Sequence, residues 1–277
     1  MDDLLRSSVK ELRERFLERN RVVSERLLEA LETDPRSGAR QVATVIRNRR
    51  IRNHREGVRL HNLLRFEIEL WDQGCNRIAG VDEAGMAPLA GPVVAAAVIL
   101  PHNYKLAGLN DSKKILDGAR REMLARRIKE DSPCWSVGRA EVEEIDKLNI
   151  YRAGLLAMKR AVDGLKLQPD FVLVDARTIP NCPYPQRGII HGDALSASIA
   201  AASIIAKTTR DACMIELDQL YCDYGFASHK GYPTPHHLRQ LKKLGALPVH
   251  RRSFAPVREV LRTDPVQVGL FDKEDGT

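Results

Sequence analysis

The chain has 277 residues, of which 43% are hydrophobic and 29% charged, and its formal net charge is +7. This length is enough for one large domain with a core plus a smaller appendage, and the basic excess favours polyanionic partners. Five cysteines without C-x-x-C spacing suggest neither a zinc site nor a disulfide framework, so we expect a cytoplasmic protein. The charged start at Asp2 and the lack of an apolar run of about 18 residues argue against a signal peptide and a membrane span.

Residues 1–75 are expected to form a helical appendage. Apolar residues recur at helical spacing from Leu4 to Leu31, and Asp34-Pro35 predicts a break before a further helix. Residues 36–65 contain nine arginines, one acid and no lysine. A solvated helix face would explain this composition. Because guanidinium groups bind phosphates as planar forks, however, we interpret the segment as a substrate-binding clamp for nucleic acid.

The main domain is expected over residues 76–258. Two apolar runs, Ile78–Val81 and Val93–Leu100, predict buried strands close together in the chain. Further apolar runs alternate with helical patterns, which predicts an α/β domain with a mixed sheet flanked by helices. Residues 259–277 are polar and are expected to form a flexible tail.

Acidic residues end three of the apolar segments: Asp82-Glu83, Asp175 and Asp193. Strands of one sheet can bring their ends together, and clustered carboxylates repel unless hard divalent cations bind them. Helix caps or surface ion pairs would explain a single acid of this kind, and a glycosidase pair is another chemical use. The basic surroundings and the 5% aromatic content argue against a sugar platform. We therefore predict two Mg²⁺ or Mn²⁺ ions that promote in-line attack on a phosphodiester.

The motifs around these acids closely resemble bacterial ribonuclease HII (type 2 ribonuclease H). The similar stretches occur in the family's order over about residues 77–258: Val81–Gly85, Pro88–Val98, Leu109–Lys114, Glu144–Ile150, Ala200–Lys207, Thr209–Asp211, His229–Tyr232 and His250–Phe254. The resemblance implies a ribonuclease H-like fold and endonucleolytic hydrolysis of RNA in RNA–DNA hybrids. It also implies incision at ribonucleotides embedded in duplex DNA, with 5′-phosphate and 3′-hydroxyl products, in ribonucleotide removal, replication and repair. Residues 1–75 resemble the extension that some members carry.

The same resemblance assigns roles to individual residues. The four metal-binding catalytic acids would be Asp82, Glu83, Asp175 and Asp193. Tyr232 corresponds to the tyrosine that packs on the sugar at the RNA–DNA junction. The residues expected to contact the substrate or to brace the site are Gly85, Met86, Ala87, Ser112, Lys113, Arg210, Lys230, Tyr232, Arg251 and Arg252. We expect a monomer without a membrane partner.

Two positions differ from the family pattern. Gly85-Met86-Ala87 stands where the family has Gly-Arg-Gly, in a turn that senses the 2′-hydroxyl largely through its backbone. Met86 removes a cation, and Ala87 adds a Cβ that would be unfavourable at positive φ. His191 stands where lysine is common. Because the acids are intact, we expect a working hydrolase whose junction specificity is altered; the alternative is a hybrid-binding relative without catalysis.

The tail contains one further motif. Gln267-Val-Gly-Leu-Phe271 resembles the Gln-x-x-Leu-Phe peptide by which bacterial repair proteins dock on the replication sliding clamp. Gln267, Leu270 and Phe271 would make the contacts, with the two large apolar side chains inserted into a groove. Five residues also recur by chance, and a tail without this function is the alternative.

Overall fold

The structure is a computed structural model, and it describes residues 7–263. The chain divides into two compact units between His61 and Asn62, ahead of the boundary expected near residue 75. Helices of the first unit are α1 Val9–Arg13, which continues as a π-helical turn Glu14–Glu18, α2 Glu25–Glu32, and α3 Ser37–Leu63, which extends beyond His61. Their apolar faces form one core, which includes Leu12, Phe16, Leu28, Leu31, Val42 and Ile46.

Most arginines of the first unit have partners inside that unit. Arg47 binds Glu32 through Nε at 2.9 Å, and Arg36 binds Asp34 through Nη2 at 2.6 Å. Further arginines of residues 36–65 that donate to side chains or carbonyls of this unit are Arg40, Arg49, Arg50 and Arg59. Arg52 and Arg55 are exposed. Many of these arginines therefore stabilise the fold of the first unit. Fewer of them face solvent than the sequence suggested.

The second unit is built on a five-stranded sheet. Its elements are α4 Arg65–Asp72, β1 Ile78–Ala84, β2 Val93–Ile99, α5 Gly118–Asp131, β3 Cys134–Ala140, α6 Val142–Leu148, α7 Ile150–Asp163, β4 Phe171–Asp175, β5 Gln186–Ile189, α8 Gly192–Leu195, α9 Ala197–Leu220, α10 Phe226–His229, α11 Pro235–Leu244 and α12 Ala255–Thr263. The strand order is β3-β2-β1-β4-β5. The β1–β2 and β2–β3 pairs are antiparallel, whereas β1–β4 and β4–β5 are parallel. This arrangement confirms the predicted α/β class with a mixed sheet.

Helices cover both faces of the sheet. Val81 packs with Met158 of α7 on one face, and Leu173 packs with Ile199 of α9 on the other. Helix α9 comes very close to β1, because a Cβ built on Gly80 would lie 2.0 Å from the Ser198 carbonyl carbon. The glycine thus allows the helix backbone to lie directly against the strand that carries Asp82.

A buried carboxylate fixes the start of α9. Glu67 of α4 accepts hydrogen bonds from the Ser196 hydroxyl at 2.6 Å and from the Ser198 amide at 2.9 Å. The amides of a first helical turn have no partner within the helix, so this acceptor stabilises the α9 terminus. Among residues 7–263, no helix has the combination of length and hydropathy that crossing a bilayer requires.

Candidate active site

The register of β1 and β4 brings two acids side by side. Val81 pairs with Val174 in a parallel ladder, so Asp82 and Asp175, each one residue further, lie at adjacent strand ends. Side chains alternate between the faces of a strand, which places Asp82 on the same side as Gly80 and towards α9. The sequence predicted acids at strand ends, and the parallel pairing explains why these two meet.

The third acid comes from the short helix α8. The Gly192 amide donates to Asp175 Oδ1 at 2.7 Å, and His191 precedes the helix in a left-handed conformation with φ 58°. Asp82, Asp175 and Asp193 each offer one carboxylate oxygen, and these atoms lie within 4.8 Å of one another. An oxygen donor set of this kind fits a hard divalent cation such as Mg²⁺ or Mn²⁺. Three of the four predicted acids therefore form one candidate metal centre.

Burial and repulsion from neighbouring acids raise the pKa values of Asp82 and Asp193. The pKa of Asp82 lies well above its ordinary value because the carboxyl is buried and faces the charges of Glu83 and Asp175. The pKa of Asp193 is raised by burial and by Asp111 and Asp175. Ionising Asp82 and Asp193 is therefore costly in the protein alone, and a bound cation would relieve that cost.

One exposed cation stands beside this cluster. Lys113 Nζ lies 3.5 Å from Asp193 Oδ2. Burial tends to lower the pKa of Lys113, but the charges of Asp193, Asp82 and Asp111 outweigh it and raise the pKa. The neighbouring Ser112 is buried and its hydroxyl lies 2.9 Å from that of Ser203 on α9. Ser112 therefore supports the floor of the site, whereas Lys113 is placed at its surface.

Glu83 occupies the opposite face of β1 and is not part of the group of three. Its Oε1 lies 3.2 Å from Arg177 Nη2, and its buried Oε2 has no hydrogen-bond partner within the described chain. Burial raises the pKa of Glu83 and Asp175 adds to the rise, while Arg177 and Lys113 oppose it. The sequence did not single out Arg177; a basic residue two positions after a strand-end acid was the only signal.

A fully buried arginine holds the turn that follows the acids. Arg251 donates to a ring of backbone carbonyls, those of Gly85 (2.7 Å), Met86 (3.2 Å), Pro88 (2.7 Å), Gly91 (2.8 Å) and Pro92 (3.3 Å). Burial, with repulsion from Arg210, lowers the pKa of Arg251 to about 9. The side chain has no exposed surface. Of the two expected roles, contact with phosphates and support of the site, its surroundings favour support.

Arg210 of α9 supports the same turn from below. It is also fully buried, and it donates to the carbonyls of Ala90 at 3.1 Å and Lys230 at 3.0 Å. A Cβ on Gly85, where φ is 100°, would lie 2.2 Å from Arg210 Nε. Both the positive φ and the guanidinium therefore require glycine at position 85.

Met86 and Ala87, the two positions of the turn that differ from the family pattern, have different surroundings. Ala87 is exposed, and its φ is not positive. The backbone strain considered for its Cβ is therefore absent. Met86 is half-buried and packs against the core below the sheet. The structural consequence of the difference from the family pattern is therefore confined to the side chain of Met86.

A chain of neutral histidines leads to Tyr232. His250 Nδ1 accepts from the Leu247 amide at 3.0 Å, so its Nε2 carries the proton and donates to His237 Nε2, also at 3.0 Å. His237 Nδ1 then donates to the Tyr232 carbonyl at 2.9 Å. Burial lowers the pKa of both histidines to about 4. The sequence placed His250 in a stretch similar to the family and gave no role to His237, whereas in the structure both histidines anchor the backbone of the half-exposed tyrosine.

The remaining predicted contacts lie around this loop. Tyr232 is 39% exposed, and Lys207 Nζ lies 5.9 Å from its ring centre. Lys230 Nζ donates to the Ala227 carbonyl at 2.7 Å. The Arg252 side chain is exposed, and its amide donates to Asp146 at 3.0 Å. Gln267, Leu270 and Phe271 lie outside the described residues.

A mixed sheet with carboxylates at the ends of its two adjacent central strands, flanked by helices, defines a nuclease domain of the ribonuclease H-like class. A family model described as Ribonuclease HII matches residues 79–257, and one described as Ribonuclease HII N-terminal domain matches residues 8–71. Ribonuclease HII of Myxococcus xanthus (strain DK1622) is 63% identical, over 94% of this chain and 89% of its own length. The chain belongs to the ribonuclease HII family, which confirms both the resemblance and the predicted class of enzyme.

Solved structures agree with this assignment. Ribonuclease H2 from Pyrococcus horikoshii OT3 superposes with a TM-score of 0.58 at 26% identity, covering 67% of this chain and 97% of that one. The ribonuclease HII of Archaeoglobus fulgidus, solved in a complex with PCNA, gives a TM-score of 0.55 at 27% identity, covering 65% and 95%.

Proposed function

We propose that the protein is a metal-dependent endoribonuclease that cleaves the RNA strand of RNA–DNA hybrids and incises duplex DNA at embedded ribonucleotides. The observation that carries this proposal is the convergence of Asp82, Asp175 and Asp193 oxygens within 4.8 Å. Membership of the ribonuclease HII family supports the substrate class. The products would be 5′-phosphate and 3′-hydroxyl ends. We further propose that the protein is a monomer in the cytoplasm and that it acts in ribonucleotide excision repair and replication.

The acids would share the coordination of two divalent ions. Asp82, at the centre of the cluster, is the candidate for contacting both. Asp175 Oδ1 accepts from the Gly192 amide, and this hydrogen bond would orient the carboxylate towards a cation. Glu83 Oε2, which has no hydrogen-bond partner within the described chain, would be a further ligand if a second cation binds beside Asp82. Bound divalent ions would supply an activated water and stabilise the leaving oxygen.

The turn and the histidine chain would hold the substrate. Arg251 engages the carbonyls of Gly85 and Met86, which pre-organises the turn before the hybrid binds. Lys113, Lys230 and Arg252 are the candidates for phosphate contacts, and the Tyr232 ring for packing on the junction sugar. In the first unit, Arg52 and Arg55 are exposed and are the remaining candidates for binding nucleic acid in the proposed clamp.

Replacing the central acid tests the catalytic proposal. We expect Asp82→Asn to reduce cleavage by at least about a thousandfold while hybrid binding is retained, because the side chain keeps its shape but loses its charge. The matched control is Asp163→Asn, whose carboxylate pairs with Lys159 at the end of α7. Product mapping would use a continuous RNA–DNA hybrid and a duplex with one ribonucleotide, each with Mg²⁺ and with Mn²⁺. Substantial cleavage by Asp82→Asn would contradict the two-ion mechanism.

The same two substrates separate a working junction enzyme from the alternatives. Because Ala87 is unstrained, Met86→Arg alone should raise incision at the single ribonucleotide relative to the long hybrid, by roughly tenfold if a charge-assisted hydrogen bond is gained. Adding Ala87→Gly should change little. An unchanged ratio would remove the idea that this turn sets specificity, and a wild-type protein that binds but cuts neither substrate would support a non-catalytic relative.

Docking of the tail on the sliding clamp stays a separate proposal. It rests on the Gln267–Phe271 motif, and the solved complex of the Archaeoglobus fulgidus protein with PCNA offers a precedent for a partner of that relative.

A further inference from the structure

We infer that Arg177 is a phosphate-binding residue, and that it supplies from the segment after β4 the positive charge that the Gly85–Pro92 turn lacks. The turn itself, residues 84–92, contains no charged side chain. The inference rests on the proposed function, because it names a contact for the same nucleic-acid substrate.

Arg177 is held at the edge of the acidic site by two different contacts. Its Nη2 lies 3.2 Å from Glu83 Oε1, and its guanidinium carbon lies 5.1 Å from the ring centre of the exposed Tyr151. An ion pair on one edge and an aromatic ring near the group fix the plane of the fork. The guanidinium is therefore oriented before any ligand arrives.

One end of the fork is unused. Arg177 Nη1 is buried and has no hydrogen-bond partner among residues 7–263, and the same is true of Glu83 Oε2. A buried donor without an acceptor is unfavourable, and such groups in folded proteins mark places where a ligand completes the network. Here Arg177 Nη1 needs an acceptor and Glu83 Oε2 needs a donor or a cation, and the two residues form one ion pair. A phosphate oxygen and its divalent cation would satisfy both.

The Met86 side chain lies close to this donor. A Cβ built on Gly154 of α7 would lie 2.8 Å from Arg177 Nη1 and 3.1 Å from Met86 Sδ, so both side chains converge over the same helical glycine. Met86 is unbranched and flexible, so its side chain can rearrange when a ligand binds without movement of the backbone. The residue that stands in place of the family's cation thus lies beside a cation from another segment.

The salt dependence of binding tests the inference without relying on catalysis. Fluorescence anisotropy would measure binding of a labelled RNA–DNA hybrid in EDTA over a KCl series. For Arg177→Gln, the slope of log K against log salt should become shallower by about 0.9, the value for one lost phosphate contact. Arg177→Lys should restore most of that slope because it keeps the charge.

Arg187→Gln is the matched control. Arg187 of β5 also lies 3.2 Å from a glutamate oxygen, that of Glu69, and 5.0 Å from an aromatic ring, that of Phe66. This variant loses the same two kinds of contact away from the acids, so its slope should equal that of the wild type. Far-UV circular dichroism would check that every variant is folded.

The outcomes separate this inference from the proposed function. An unchanged slope for Arg177→Gln, with an altered Mg²⁺ dependence of cleavage, would mean that Arg177 only balances Glu83 and would overturn the phosphate contact. Equal losses for Arg177→Gln and Arg187→Gln would overturn it too, as a general charge effect. If the wild type binds no hybrid, the proposed function and this inference fail together.

Discussion

In the first unit, Asp34 accepts two hydrogen bonds from the Arg36 guanidinium, at 2.9 and 2.6 Å, which lower the pKa of its carboxyl to about 2. In the second unit, Asp82 lies among other acids and its pKa is raised, while Arg251 is buried against carbonyls instead of carboxylates. Acidic and basic side chains thus pair with each other in the first unit. In the second unit, Asp82 lies among other acids and Arg251 among backbone carbonyls. Pairing of opposite charges adds to the stability of the first unit, whereas the clustered acids of the second unit are candidates for binding a cation.

The largest effect should follow from removing the buried guanidinium. Arg251→Leu should lower the free energy of unfolding of the second unit by about 3–5 kcal/mol, because its ring of carbonyls would lose a buried donor. Tryptophan fluorescence in a urea titration reports on this unit alone, since Trp71 and Trp135 both lie after His61. The adjacent exposed Arg252→Leu should change stability by less than about 0.5 kcal/mol. Similar values for the two variants would contradict a bracing role.

A divalent cation should stabilise the second unit but not the first. With Mg²⁺ at a hundred times its Kd, the free energy of unfolding should rise by about 2.7 kcal/mol. Asp193→Asn should abolish most of this gain, and Asp163→Asn should keep it. Fluorescence-detected unfolding with and without Mg²⁺ gives both values; an equal gain in Asp193→Asn would place the ion elsewhere.

The pH dependence of the metal-free protein sharpens the same comparison. A carboxyl whose pKa is raised by folding contributes most to stability at low pH, and its contribution falls as pH rises through the folded-state pKa. Wild type should therefore lose stability relative to Asp193→Asn as pH rises above about 4, the ordinary aspartate value. A constant difference between the two proteins would show that Asp193 keeps an ordinary pKa.

The smallest effect is expected in the first unit. Asp34→Ala should destabilise it by about 1–2 kcal/mol at pH 7, a modest loss because Arg36 is partly exposed. The pKa of Asp34 is lowered, so its contribution is present above the unfolded value near 4 and is lost as pH falls through about 2. Amide hydrogen exchange in α2 and α3 would measure it. Glu29→Ala, at an exposed side chain, should leave exchange unchanged.

Local patterns predicted the parts of this molecule that depend on local physics. The apolar runs at β1 and β2 predicted a hairpin because buried strands need continuous hydrophobic residues. The acids at the ends of β1 and β4 stood out because ionisable groups rarely follow such runs without a partner. The candidate metal centre could therefore be named residue by residue.

Long-range contacts decided what the sequence could not show. The arginine-rich segment looked like a phosphate-binding surface, and the fold shows that some of its arginines pair with acids of a different helix, as Arg47 does with Glu32. Arg251 was expected to contact phosphates or to brace the site, and only the folded turn reveals the carbonyls that bury it. Arg177 became notable only when the sheet placed it beside Glu83. In each case the chemistry depends on a neighbour that is distant in the chain.

The hydrogen bond from Gly192 to Asp175 makes one backbone amide a reporter of the candidate metal centre. Opening of α8 would displace Asp193 and break the hydrogen bond that orients the Asp175 carboxylate, so two potential ligands would be disturbed in the same event. The exchange of this amide with deuterium would then follow the assembly of the ion-binding site. Its protection should increase with ion concentration, even in a variant that turns over no substrate.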